Sequence, residues 1–400
     1  MTAEPAAARV ARPPAEFLSS RIRALQPSGI RRFFDMLAEM TDVISLTIGE
    51  PDFTTPEPIT RAAIASLEAG ETRYTANGGM VELRELIAAD LERRYGVSYE
   101  ARGELIITVG ASEAVDASLR AICDPGDEVI YHEPCFVAYA PCITLAGGVP
   151  VPVATGDETD FQITAEMVEA AVTPRTKALF LGYPNNPTGA VLDREDLERI
   201  AAVVERHDLL VISDEIDERL VYGGHEHVAF SSLPGMRDRT ILIGGFSKSY
   251  AMTGWRVGYV AAPAELMTGI AKVHQYGIMC APTPAQFAAV EALRSGERFV
   301  LEMQAEYDRR RQLMTRRLNE IGLLCFEPRG AFYCFPEISG TGMDDETFAR
   351  ELLREERVAV VPGSAFGPSG ADHVRVCYAT AYEEIIEAMD RIERFVGHHR

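Results

Sequence analysis

The sequence predicts an α/β protein: a larger part with a mostly parallel sheet flanked by helices, and a smaller α+β part. Three observations predict it. Short apolar runs alternate with amphipathic stretches from about residue 45 to 290; several runs are rich in β-branched residues and end at Gly, Pro or Asp; and a charged amphipathic stretch, Glu297 to Ile321, precedes a second set of strand-like runs.

In chain order the first runs are LIITV (105–109), EVIYHEP (128–134), KALFLGYP (177–184), LLVISDE (209–215), TILIGGFS (240–247) and RVGYVAAP (256–263), with helix-like segments such as 193–207 between them. This alternation builds a parallel sheet covered on both faces, and ligands bind beyond the carboxyl ends of its strands. The stretch 297–321 reads as one long helix with Phe299, Met303, Leu313 and Leu318 on or near one face. Beyond it GAFYCFPEI, VAVVPGSAF and HVRVCYAT read as strands with helices between them. The expected division is 1–45 for an N-terminal arm and part of the smaller unit, 46–295 for the large domain, and 296–400 for the small C-terminal domain.

Composition narrows the function. Four hundred residues, 47% of them hydrophobic, supply a large core, and a net charge of −21 argues against a nucleic-acid or anionic-membrane partner, both of which need basic surface. The seven cysteines are odd in number, scattered and without a C-x-x-C pair, so neither a disulfide framework nor a metal site is expected. The opening MTAEPAAARVARPPAEF lacks a basic region followed by an apolar core and reads as a mobile arm, and no window approaches the roughly 18 apolar residues of a membrane span. The expectation is a cytoplasmic protein acting on small molecules.

Three stretches carry chemistry. VISDEIDERL (211–220) ends a buried run on Asp214, Glu215 and Asp217, which calls for a cationic partner. GGFSKSYAMTGWRVGY (244–259) places Lys248 after an apolar strand and two glycines, with Arg256 eight residues on. A lysine at a strand end loses solvation, which lowers its pKa and makes it a usable amine nucleophile, whereas an arbitrary lysine is more often a solvated loop residue. VGASEAV (109–115) opens a helix after a strand, so the N–H groups of Ala111 and Ser112 and the helix dipole suit a phosphate; alone the stretch reads equally as an N-cap.

Gly245, Phe246, Ser247, Lys248, Gly254, Arg256 and Gly258 together resemble the lysine signature of the fold-type I pyridoxal-phosphate enzymes, class I/II aminotransferases. YPNNPTG (183–189), EPCFVAY with Phe136, LTIGEPDFTTP with Gly49, RYTANGGMVELR with Tyr74 and HVRVCYAT with Arg375 resemble that family's other motifs, in its order, from about Leu18 to Phe395. The branch resembled holds bacterial and archaeal aspartate, aromatic and broad-range aminotransferases. The resemblance implies pyridoxal 5′-phosphate as cofactor, with Lys248 its Schiff-base amine and proton carrier and Asp214 the partner of its ring N–H. It implies that Ala111, Ser112, Ser247, Arg256 and the partner subunit's Tyr74 hold the phosphate, that Phe136 stacks on the ring, and that Asn186 meets the 3′ oxygen. Gly49, Asn186 and Arg375 would orient the substrate carboxylate. The implied reaction moves an amino group from an L-amino acid, aromatic or broad-range with aspartate as an alternative, to a 2-oxo acid such as 2-oxoglutarate, in a homodimer with shared sites.

The chain departs from the pattern at Asp217, where a tyrosine that donates to the cofactor is expected, at Tyr183, where many relatives carry a small residue, and at Ser112, where some acidic-substrate members carry lysine. Either Asp217 faces the cofactor, or it turns toward Arg219 or solvent and Tyr183 supplies the missing donor. A β-lyase on the same scaffold, a non-catalytic pyridoxal-phosphate-binding regulator and a metal hydrolase built on the SDEID carboxylates are the competing readings.

Overall fold

The computed structural model describes residues 13–25 and 41–399, so the expected arm lies outside the described residues as far as residue 12. A short strand, β1 (Ile44–Ser45), precedes seven that form the large sheet: β2 (Leu105–Thr108), β3 (Glu128–Glu133), β4 (Val149–Ala154), β5 (Thr176–Gly182), β6 (Leu210–Asp214), β7 (Thr240–Gly245) and β8 (Gly258–Ala261). They lie in the order β2-β8-β7-β6-β5-β3-β4, with β8 antiparallel to both its neighbours and every other pairing parallel.

Side chains alternate between two helical layers, as the period of a strand dictates. Ile106, Phe180, Ile212, Ile243 and Val260 pack with helices Gly110–Ile122, Tyr139–Ala146 and Ala264–Gly277. On the other face Ile107, Leu179, Val211 and Leu242 meet helices Val81–Tyr95, Arg194–Arg206 and Thr283–Ser295. Covering both faces explains why these strands are near-continuous apolar runs.

All six runs read from the sequence are strands. β4, VPVPVA, is the addition, hidden by prolines at alternate positions. The N–H groups of Val149 and Thr155 donate to Asp127 and Glu133 on the β3 side, so Pro150 and Pro152, of opposite parity, turn their nitrogens to the open side of an edge strand.

Glu297–Ile321 is one helix, but its buried stripe starts at Val300 and continues through Met303, Tyr307, Met314 and Leu318, leaving Phe299 half-buried. It packs with β9 (Tyr333–Cys334), β10 (Val358–Ala359) and β12 (Val374–Cys377) and with helices Asp345–Glu356 and Tyr382–His398. β1 pairs with β10, which brings Val43, Ile44 and Leu46 to this cluster; β11 (Val361–Pro362), β12 and β9 form a separate antiparallel sheet. No described helix is long and apolar enough to cross a membrane.

The register collects chemistry at one edge. Gly182 of β5 lies opposite Asp214 of β6, while Gly258 opens β8 between Gly245 and Thr108, at the carboxyl ends of β7 and β2. Because β8 runs backwards, its first residues share an edge with the last residues of the others. Phe180 supports that edge: its ring is fully buried and stacks on Tyr139, centroids 4.1 Å apart. Phe180→Ala is expected to cost about 3–5 kcal/mol, read as a lower denaturation midpoint in urea.

Candidate active site

Six strand ends supply the site. β2 runs into the helix that starts with Gly110, Ala111 and Ser112; β3 leads to Phe136, β5 to Asn186 and β7 to Ser247 and Lys248; β6 ends on Asp214; Arg256 precedes β8. These residues, Gly110 excepted, line one cavity of ≈280 Å³ together with Asp217 and with Gly49 from the segment after β1. Of the residues expected at the site, Arg375 joins through Asn186, and Tyr74 alone stands apart, 81% exposed.

Lys248 Nζ donates to the Gly49 carbonyl and lies 5.3 Å from the centroid of the Phe332 ring. Burial lowers its pKa, opposed most by the charge of Asp217. An amine so placed is more often neutral than an exposed lysine, which a nucleophile requires.

The acids at 214–218 divide their work. Asp214 accepts from Tyr139 Oη at 2.9 Å and from Ile216 N–H at 3.3 Å. Burial pushes its pKa up to about 7; the Tyr139 bond opposes the rise and the nearby Asp217 charge adds to it. Tyr139, three residues after Phe136, has no sequence signal of its own and was not expected here.

Glu215 turns away, to Ser213 Oγ, Phe230 N–H and His227 Nε2, and Glu218 pairs with Arg94 at 2.8 Å. Asp217, three residues beyond Asp214, faces the cavity, 4% exposed, and its Oδ1 has no hydrogen-bond partner. Burial raises its pKa to about 6, with Lys248 opposing.

The alternative for Asp217 is therefore corrected. Arg219 pairs with Glu297 at 2.6 Å, leaving it no part in the cavity. Tyr183 Oη donates to the Phe161 carbonyl at 3.0 Å and accepts from Ile163 N–H at 3.1 Å, so it supplies no donor to the site.

At one end of the cavity Gly110 sits at φ +72°, and a Cβ there would lie 2.4 Å from Arg256 Nη2. The missing side chain lets a guanidinium lie against a helix start whose first-turn N–H groups have no intrahelical acceptor, an arrangement suited to an anion. At the other end Arg375, 4% exposed, donates to Asn186 Oδ1 at 2.8 Å and to the Thr47 carbonyl at 2.6 Å, while its Nε has no partner. Its donors exceed its acceptors, so a carboxylate has bonds to gain. The Tyr333 hydroxyl, 2.6 Å from where a Cβ of Gly49 would lie, closes this end, so residue 49 has no space for a side chain. An anion cradle, an amine in the middle and a carboxylate beneath suit a flat heteroaromatic phosphate that forms a Schiff base.

Comparisons with known proteins bear on this arrangement. A family model, Aminotransferase class I and II, matches residues 41–392. YugH of Bacillus subtilis (strain 168), whose aminotransferase name is provisional, is 52% identical over 95% of this chain and 98% of its own. An aspartate aminotransferase of Pyrococcus abyssi is 47% identical over 94% and 97%. The crystal structure of an aromatic aminotransferase from Pyrococcus horikoshii matches with a TM-score of 0.88 and 47% identity over 92% and 99%.

A buried carboxylate charge carries a cost that a neutral amide does not, so Asp217→Asn is expected to stabilise the ligand-free chain by about 1–3 kcal/mol. Asp217 ionises near 3.8 when unfolded and about 6 when folded, so its penalty is absent below pH 3.8, grows through that window and is complete above about 6. Thermal midpoints of both proteins across this range should diverge with rising pH.

Proposed function

This chain belongs to the class I and II aminotransferases and is a pyridoxal-phosphate-dependent transaminase, and on that premise we propose which residues perform the reaction and on what substrates. The observation that carries the proposal is the half-buried Lys248 amine between the Gly110–Arg256 cradle and the Arg375–Asn186 pair. When bound, the cofactor supplies an aldehyde that condenses with amines and a ring that withdraws electrons from the substrate's Cα–H bond.

Ala111 and Ser112 N–H, Ser247, Arg256 and Tyr74 of the partner subunit would hold the phosphate. Phe136 would pack on the ring, and Asp214 would accept from its N–H and keep that nitrogen protonated. Asn186 would meet the 3′ oxygen. Lys248 Nζ would hold the cofactor and, as a free amine, would take the substrate's Cα proton. Arg375 fixes the substrate carboxylate with Asn186 and the Gly49 segment, and its planar fork sets which face of Cα meets Nζ. Asp217 offers a carboxyl where a tyrosine was expected and balances the charge at Nζ.

We propose aromatic or broad-range neutral amino acids as donors, with aspartate possible, and 2-oxoglutarate as acceptor. Ser112 in the anion turn supports this, since a lysine there would meet a second carboxylate; the similar chains named for aspartate and for aromatic amino acids span both choices. The same relatives favour transamination over the lyase and regulatory readings. The working unit is proposed as a cytoplasmic homodimer, divided as expected into a large domain at 46–295 and a small one at 296–400 with part of 1–45.

Lys248→Ala should lose borohydride-stable attachment of cofactor and at least about three orders of magnitude in turnover. In the wild type, a donor panel with 2-oxoglutarate should show phenylalanine or tyrosine at least matching aspartate in kcat/KM; aspartate as sole good donor overturns the substrate assignment and leaves the reaction standing. Mixing inactive Lys248→Ala with an inactive Tyr74→Ala variant should restore activity through hybrid dimers, whereas a monomer by light scattering rules out the shared site.

A further inference from the structure

Ser112 is followed by Glu113, whose carboxylate serves the far side of the anion turn. Its Oε2 accepts from Val109 N–H at 2.5 Å, and its Oε1 lies 2.5 Å from His274 Nδ1. His274 Nε2 lies 2.9 Å from the carbonyl oxygen of Asn77, in the segment that carries Tyr74, and the Asn77 amide donates in turn to the Met279 carbonyl.

A carboxylate and a carbonyl are both acceptors, so each nitrogen of this ring donates, and only the imidazolium donates twice. His274 is 1% exposed, so the charge is held by these partners with little help from water. Burial alone would lower its pKa, but the bond and charge of Glu113 and the Asn77 carbonyl outweigh burial and leave it raised. Asp116 and Arg120 on the helix of Glu113, and Lys272 and Tyr276 on its own, border the adjoining surface cavity; the charge that acts on the ring is that of Glu113.

We propose that His274 is a positioning residue that, as an imidazolium, bolts the turn holding the cofactor phosphate to the segment carrying Tyr74. The inference rests on assigning Ala111 and Ser112 to the phosphate. With a folded pKa above the ordinary 6.5, the bolt is fully closed below 6.5 and opens as pH rises through the folded value. In each subunit the turn that holds its own phosphate and the segment whose Tyr74 reaches toward the partner's phosphate then lose their common support together.

The test combines two readouts on full-length protein. In ¹⁵N-histidine-labelled holoenzyme, the His274 signals, identified by their loss in His274→Gln, should show both ring nitrogens protonated at pH 7. Equilibrium dialysis should show the pyridoxal-phosphate Kd rising at least about tenfold between about pH 6 and pH 9, as expected for loss of a charge-assisted bond. The break should move at least about one unit lower in Glu113→Gln and vanish in His274→Gln. A neutral His274 at pH 7, or a break unchanged in both variants, overturns the proposal. A chain that binds no cofactor at any pH refutes the phosphate assignment instead, and the histidine spectrum still decides the charge of the ring.

Discussion

The chemistry of this site depends on holding Lys248 Nζ away from water while giving it a neutral acceptor, the Gly49 carbonyl. A close carboxylate would keep the amine charged and unreactive; an apolar wall alone would make its placement imprecise. The structure takes a middle course: Asp217 acts on the amine at longer range, and the ring of Phe332 bounds it. The Gly49 segment is itself anchored, because Asp52 receives two bonds at 2.9 Å from Arg310 of the long helix. The position of one nitrogen thus reaches back to an ion pair with the buried Arg310 on an element far along the chain.

The sheet makes that placement reproducible. Strands buried on both faces cannot slip register without moving apolar side chains between layers, so Asp214, Asn186 and Lys248 are fixed relative to one another by backbone pairing. Polar groups next to the site are equally committed: Glu215 satisfies three donors from its own neighbourhood, so that of the acids at 214–218 it is Asp214 and Asp217 that face the cavity.

Much of this was legible in the sequence because the features are local. The six apolar runs with their Gly, Pro and Asp ends, the long helix, and the Lys248 to Arg256 stretch each declare themselves within a few residues. What could not be read depends on residues distant in the chain. Tyr139 reaches Asp214 across 75 positions, and its hydroxyl is indistinguishable in sequence from that of any core tyrosine. Tyr183 sits beside the N-P-T-G turn but spends its hydroxyl on Phe161 and Ile163, a choice that only tertiary packing makes. β4 was hidden because alternate prolines suit a strand only when one side is open, and edge position is a property of the assembled sheet.

The reversal of β8 makes chain length itself a measuring device. Lys248 and Arg256 belong to one continuous excursion that leaves β7 and returns as β8, so the separation between the amine and the anion cradle is set by a fixed number of peptide units rather than by the docking of independent parts. A deletion there would misplace two functions at once, with no adjustment of the sheet able to restore both. Connections at the opposite edge, such as the turn before β6, carry no such metric duty, and are where this scaffold can change length without recalibrating its chemistry.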